Sequence, residues 1–233
     1  MPDAGRIAER LERLWRIAHG TGGGVDRPAY SPAEAEAMLL VAGWAREHGL
    51  EPGVDCNGNL WALPAGWDGP VVTAGSHVDT VPDGGRFDGA LGTVLGLELV
   101  AEIGGGAGIL ICAAEEAPRF GAGTIGSRLL AGTLTTAALE AFADDHGVTA
   151  DRALAGHLAA LAQLPRVQPP LRHWRANAEV HVAQRRELRT LGVVTTVASP
   201  RRFTVRITGE SGHSGEITME ARHDALTAAA EVV

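Results

Sequence analysis

His77-Val78-Asp79, Asp88, Glu115-Glu116 and His181 are the side chains whose types and order could do chemistry together. His77 leaves the C-terminal end of an apolar run, Val71 to Ala74, where open α/β sheets build their sites. Asp79, two residues on, is placed to orient the imidazole as a supporting carboxylate. Asp88 stands among glycines in Gly84-Gly85-Arg86-Phe87-Asp88-Gly89, which let the backbone come close to a ligand. Glu115 and Glu116 follow a second apolar run, Ile109 to Ala114; adjacent carboxylates repel, and a dication relieves that repulsion. His181 falls in a strand-like piece, Ala178 to Val182. A mixed oxygen and nitrogen donor set of this kind suits Zn²⁺, Mn²⁺ or Co²⁺ better than Ca²⁺ or an iron–sulfur cluster. Taken singly, each has a plain reading: a hydrogen-bonded histidine, a turn aspartate, a solvated acidic pair. Their order and their placement at strand ends favour the metal.

The elements that must position them follow from periodicity. Ile7, Leu11, Leu14 and Trp15 predict a first helix. Ser31-Pro32-Ala33-Glu34 reads as a capping box that starts a second helix, running toward His48. Strand-like pieces near Val54 and from Asn59 to Leu63 flank an Asn57-Gly58 turn. Val71 to Ala74 and Gly108 to Ala114 read as buried strands, with a helix from Ala90 to Ile103 between them. A helical, alanine-rich stretch follows from Ser127 to Leu164, broken near Asp144 to Val148. Three strands are expected next: Ala178 to Val182, Val193 to Ala198, and Phe203 to Thr208. Met219 to Val233 reads as a helix. This alternation predicts an α/β domain with strands covered on both faces.

Composition narrows the chemistry. All 20 basic side chains of the 233 residues are arginine. Without lysine there is no Schiff-base chemistry and no G-x-x-x-x-G-K phosphate loop. The net charge of −8 argues against nucleic acid or anionic lipid as partners. The arginine cluster Arg185, Arg186, Arg189, Arg201 and Arg202 has no interleaved aromatics and reads as a solvated face or partner contact. Cys56 and Cys112 are read as two buried thiols. His173 and Trp174 are read as packing residues. The apolar stretch Leu91 to Ala114 is interrupted by Glu98, Glu102 and three glycines, so no membrane span is expected. The arginine- and glutamate-bearing N-terminus is not a signal peptide, and a cytoplasmic location is expected.

These residues resemble the amidohydrolases of the M20 metallopeptidase superfamily, in the branch of N-carbamoyl-L-amino acid hydrolase, allantoate amidohydrolase and β-ureidopropionase. The resemblance runs from about Arg6 to the last residue. Its most specific stretch is Gly75 to Glu98; Glu115-Glu116 with Arg119-Phe120-Gly121, His181, and Gly209-Glu210-Ser211-Gly212-His213-Ser214-Gly215 also fit. The resemblance implies a three-layer α/β/α, zinc-exopeptidase-like catalytic domain over residues 1–198. Residues 199–233 would begin an α+β dimerisation domain.

It also implies roles. His77 and His181 would bind metal, Asp88 would bridge two divalent ions (Zn²⁺ or Mn²⁺, with Co²⁺ or Ni²⁺ as further choices), and Glu116 would bind the second. Glu115 would be the general base toward water. Gln184 would contact the small-molecule substrate, and His213 would reach the substrate of a partner subunit in a homodimer. The expected reaction is hydrolysis of a C–N bond outside peptides, in an N-carbamoyl or allantoate-like ureido compound. A dipeptidase or aminoacylase reading differs only in substrate, and the Gly84 to Gly89 stretch favours the carbamoylase branch.

Departures keep a second reading open. Ala183 and Arg185 stand where the family has glutamate and glycine, and Pro118 and Glu216-Ile217-Thr218 also differ. No histidine follows His223 to complete the second metal site, so a C-terminally truncated chain is expected. It would be a catalytically silent scaffold subunit or one half of a split enzyme.

Overall fold

The computed structural model describes residues 2–184, 190–197 and 204–232. Two compact units, Met1–Arg185 and Arg186–Val233, make up the chain.

In the first unit α1 (Ala4–Arg16) and α2 (Pro32–Glu47) precede the hairpin of β1 (Leu50–Val54) and β2 (Leu60–Pro64). β3 (Val71–Ala74), α3 (Ala90–Ile103) and β4 (Ala107–Ile111) follow, then α4 (Ile125–Leu130), a 3₁₀ turn, α5 (Ala150–Ala160) and β5 (Trp174–Ala178). The sheet order is β1-β2-β4-β3-β5. β1 and β2 run antiparallel, as do β2 and β4, while β3 is parallel to both β4 and β5. The β3–α3–β4 crossover brings the C-terminal ends of two parallel strands side by side, and both lead into candidate site residues.

The alternation of strand residues explains the layering. Val54, Leu60, Ala62, Ala74, Ile109 and Ile111 join α2, α3 and α5 in one buried cluster. Trp61 and Leu110 point to the other face, where Trp61 meets Trp174 edge to face at 5.5 Å. α1 is fastened to α3 by a two-pronged pair: Arg6 donates to both Glu98 oxygens at 2.8 and 2.6 Å. Arg10 adds a third bond to the same carboxylate. The acidic residue that argued against a membrane span thus holds two helices together. Among the described residues no helix is long and apolar enough to cross a membrane.

Several expectations are corrected. The last strand of the sheet is Trp174–Ala178, not Ala178 to Val182, and Trp174 itself donates to Thr73 Oγ1 at 2.8 Å rather than only packing. Arginine and asparagine in Trp174-Arg175-Ala176-Asn177-Ala178 hide an edge strand from a hydropathy pattern. Among the described residues no strand follows Ala178, so Val193 to Val197 and Thr204 to Thr208 are not strands; Ala198 to Phe203 lie outside the described residues. The last helix is Ala225–Ala230, capped by Asp224, shorter than Met219 to Val233. Cys56 is exposed, not buried, and Cys112 is half-buried; both are free thiols. The arginine cluster lies outside the described residues, Arg185 and Arg186 included.

Candidate metal centre

The site starts at Gly75, immediately after β3. Its backbone has φ of 156° and a side chain there would run into the Leu110 carbonyl oxygen, so glycine permits the strand end to lie against β4. The chain continues beside β4: Cys112 N–H donates to Ser76 O at 2.9 Å, and His77 pairs with Cys112 in a single parallel bridge. The next turn is clamped by buried Arg27, which donates to the carbonyls of Val78, Leu14 and Ile17. Burial, opposed by nearby carboxylates, brings the Arg27 guanidinium down to about 10.

His77 is 1% exposed. Its Nδ1 lies 3.0 Å from the Asp79 carbonyl oxygen and 3.4 Å from Asp79 Oδ1. Its Nε2 faces Asp88 Oδ1 and Glu115 Oε2, each at 3.8 Å. Neither His77 Nε2 nor Asp88 Oδ1 completes a hydrogen bond, although both are buried. His181 brings Nε2 to 3.2 Å from the same Asp88 oxygen, and the two imidazole rings are 6.0 Å apart. His77, Asp88 and His181 can therefore converge on one ion, and so can His77, Glu115 and Glu116.

Charge is concentrated here without enough protein cation to balance it. Burial alone would lower the His77 imidazole; Asp79, Asp88 and Glu115 outweigh it and hold the group well above its usual range. His77 in turn holds the Asp88 carboxyl down to about 2, against burial. Burial raises Glu115, with His77 opposing. Burial also lifts Glu116 to about 7, where His77 opposes and Glu115 adds to the rise. Orphaned buried donor atoms beside crowded carboxylates fit a divalent cation, which would satisfy both at once.

The sequence placed Asp79 beside His77 and missed its larger task. Asp79 is wholly buried, and its two oxygens accept the backbone N–H groups of Glu115 (3.1 Å) and Glu116 (2.8 Å). One carboxylate thus ties the His77 turn to the acidic pair. Gln184 donates to Asp88 Oδ2 at 3.0 Å. His213 belongs to the second unit, where its Nδ1 accepts from Gly215 N–H at 3.2 Å. Asp55, which the sequence offered with Gly58-Asn59-Leu60 but without a role, is buried and accepts from Asn57, Asn59 and Trp61, shaping the β1–β2 turn. An Asx residue before Asn-Gly was the available signal.

No protein-family model matches the chain. It is 34% identical over 246 residues to an N-carbamoyl-L-amino-acid amidohydrolase of Pseudomonas sp. (strain NS671), a match covering 98% of this chain and 58% of that protein. It is 32% identical over 242 residues to an allantoate deiminase of Arabidopsis thaliana, covering 96% of this chain and 46% of that one. The solved structure of an amidase of the hydantoinase/carbamoylase family from Burkholderia vietnamiensis matches with a TM-score of 0.76 at 27% identity, over 100% of this chain and 58% of that chain. The mixed sheet, with histidines and carboxylates gathered at its strand ends, is similar to that of the solved amidase. The chain is similar to N-carbamoyl-L-amino-acid amidohydrolases, allantoate deiminases and solved amidases of the hydantoinase/carbamoylase family. It spans about half to three-fifths of the length of these relatives.

Proposed function

We propose that the chain carries part of the active site of a metal-dependent amidohydrolase acting on an N-carbamoyl-L-amino acid or an allantoate-like ureido compound. The carrying observation is the buried, unbonded pair of His77 Nε2 and Asp88 Oδ1, with Glu115 Oε2 at equal distance from the imidazole. His77, Asp88 and His181 would hold one divalent ion, and Asp88 with Glu116 a second. Bound there, such ions lower the pKa of water toward ~7 and polarise a carbonyl. Asp88, its carboxyl held down to about 2, would supply negative charge to a bound ion. Glu115, half-buried and raised from its ordinary value by that burial, is suited to take a proton from water and hand it to the leaving nitrogen. Asp79 holds Glu115 and Glu116 by their backbones, so the base has a fixed origin.

On this reading residues 1–198 belong to the catalytic domain and residues 199–233 begin a dimerisation domain that would present His213. Metal content and turnover of N-carbamoyl-L-amino acids and allantoate are the tests. They are run on the 233-residue chain alone and together with the portion of the relatives that it does not span. Absence of both metal and turnover in both settings sinks the reading. One observation favours a silent binding subunit instead: Gln184 occupies the second oxygen of Asp88. Stoichiometric metal without turnover in both settings would support that alternative.

A further inference from the structure

Ser31-Pro32-Ala33-Glu34 has the sequence of a capping box, and only half of the box forms. Ser31 Oγ accepts from Glu34 N–H at 3.1 Å, as a cap should. The Glu34 carboxylate does not return to the Ser31 N–H. It turns inward, is 0% exposed, and accepts from the N–H of Ala114 at 2.9 Å and from the N–H of Tyr30. A buried carboxylate is costly unless it is fully used, and here one oxygen takes the nearby Tyr30 N–H while the other takes the N–H of Ala114, 80 residues away. Ala114 is the residue before Glu115. It sits at φ of 51°, a left-handed conformation that a non-glycine residue adopts at a cost of order 1 kcal/mol and keeps only when its surroundings impose it. The N–H groups of Ala114, Glu115 and Glu116 are thus taken in succession by two buried carboxylates: Glu34 for the first and Asp79 for the other two.

We propose that Glu34 is a positioning residue for the acidic pair: by holding Ala114 in its left-handed turn it aims Glu115 and Glu116 at the His77 cluster. The part concerning metal rests on the amidohydrolase reading; the part concerning the backbone does not. The Glu34 carboxylate is hydrogen-bonded to the turn that precedes Glu115 and not to a candidate ligand; His77 and Asp79 act on it only through their charge. His157, with Nδ1 3.7 Å from Glu34 Oε2, backs the carboxylate from α5.

The experiment uses the full chain, its Glu34→Gln and Glu34→Asp variants, and Glu98→Gln as a control. Glu98 is a buried carboxylate of similar exposure that holds α1 to α3. Amide hydrogen exchange is read without metal. Glu34→Gln should speed exchange at Ala114, Glu115 and Glu116 by at least about tenfold relative to amides of α1 and α3, and Glu98→Gln should not. Co²⁺ titration is read next by calorimetry and visible absorption. Glu34→Gln should weaken the ion that depends on Glu116 by about 10–100-fold, the usual cost of losing a supporting partner. The ion held by His77, Asp88 and His181 should stay within about twofold. Glu34→Asp, which keeps the charge but shortens the reach, should fall between. Unchanged exchange at Glu115 and Glu116, or a uniform rise matching that of Glu98→Gln, overturns the proposal. A wild-type chain that binds no Co²⁺ sinks the metal reading instead, and the exchange result still decides the role of Glu34.

Discussion

His77 Nε2 and Asp88 Oδ1 face one another at 3.8 Å, both buried and neither in a hydrogen bond. Two complementary buried atoms at that spacing leave room for a shared partner and are unfavourable without one. His77→Gln or Asp88→Asn should therefore reduce Zn²⁺ or Co²⁺ affinity by more than the ~10–100-fold typical of lost supporting contacts. Calorimetric titration checks this; an affinity unchanged in both variants removes the metal centre.

Asp79→Asn keeps shape and loses one acceptor. Its amide nitrogen would point a donor at the N–H of Glu115 or Glu116. Leaving one such buried group unsatisfied costs about 1–3 kcal/mol. Denaturant unfolding should register that loss. Metal affinity should fall as well, because the acidic pair loses an anchor.

Gly92 lies on α3 where a side chain would collide with the Val180 carbonyl oxygen and come within 2.7 Å of Ser76 Cβ. Gly92→Ala should push Val180 away and take His181 from Asp88. In a helix interior the same exchange would otherwise stabilise by about 1 kcal/mol. We expect a net loss of stability and weaker binding at the group containing His181, with the position of Glu115 and Glu116 unaffected. A crystal structure of the variant with His181 unmoved would contradict this.

His157 gives stability a pH dependence. Burial lowers its imidazole from 6.5 to about 4, so between those values the unfolded chain takes up a proton that the folded chain refuses. Stability should therefore fall as pH drops from about 6.5 to 4. Glu34 acts in the opposite sense: burial raises it well above 4.5, so its contribution declines as pH rises above that value. Comparing wild type with His157→Gln isolates the histidine. Wild type should lose up to roughly 3 kcal/mol more than the variant over that interval. Parallel curves would show that His157 does not titrate this way.

Much of the site was legible in the sequence because its residues are anchored to short apolar strands. Val71 to Ala74 and the run before Glu115 are apolar enough to declare themselves, and β3 and α3 fall at their expected bounds. His77 lies in one group with Asp88 and His181 and in another with Glu115 and Glu116. Local rules served less well where a residue's partner is remote. Edge strand β5 carries polar side chains on its open face, so no periodicity marks it, and only pairing with β3 creates it.

The sequence by itself determined the order of elements from α1 to β4, the absence of lysine chemistry, and the set of donors available to a metal. Those follow from side-chain type and local spacing, which fold the chain over a few residues at a time. Only the tertiary structure decided how the donors are held. Nothing local tells Glu34 to leave its own helix cap for Ala114, eighty residues on, or Asp79 to receive Glu115 and Glu116. Those choices come from burial: once the sheet and α2 close over them, each backbone N–H and each carboxylate must find a partner inside, and the nearest is distant in sequence.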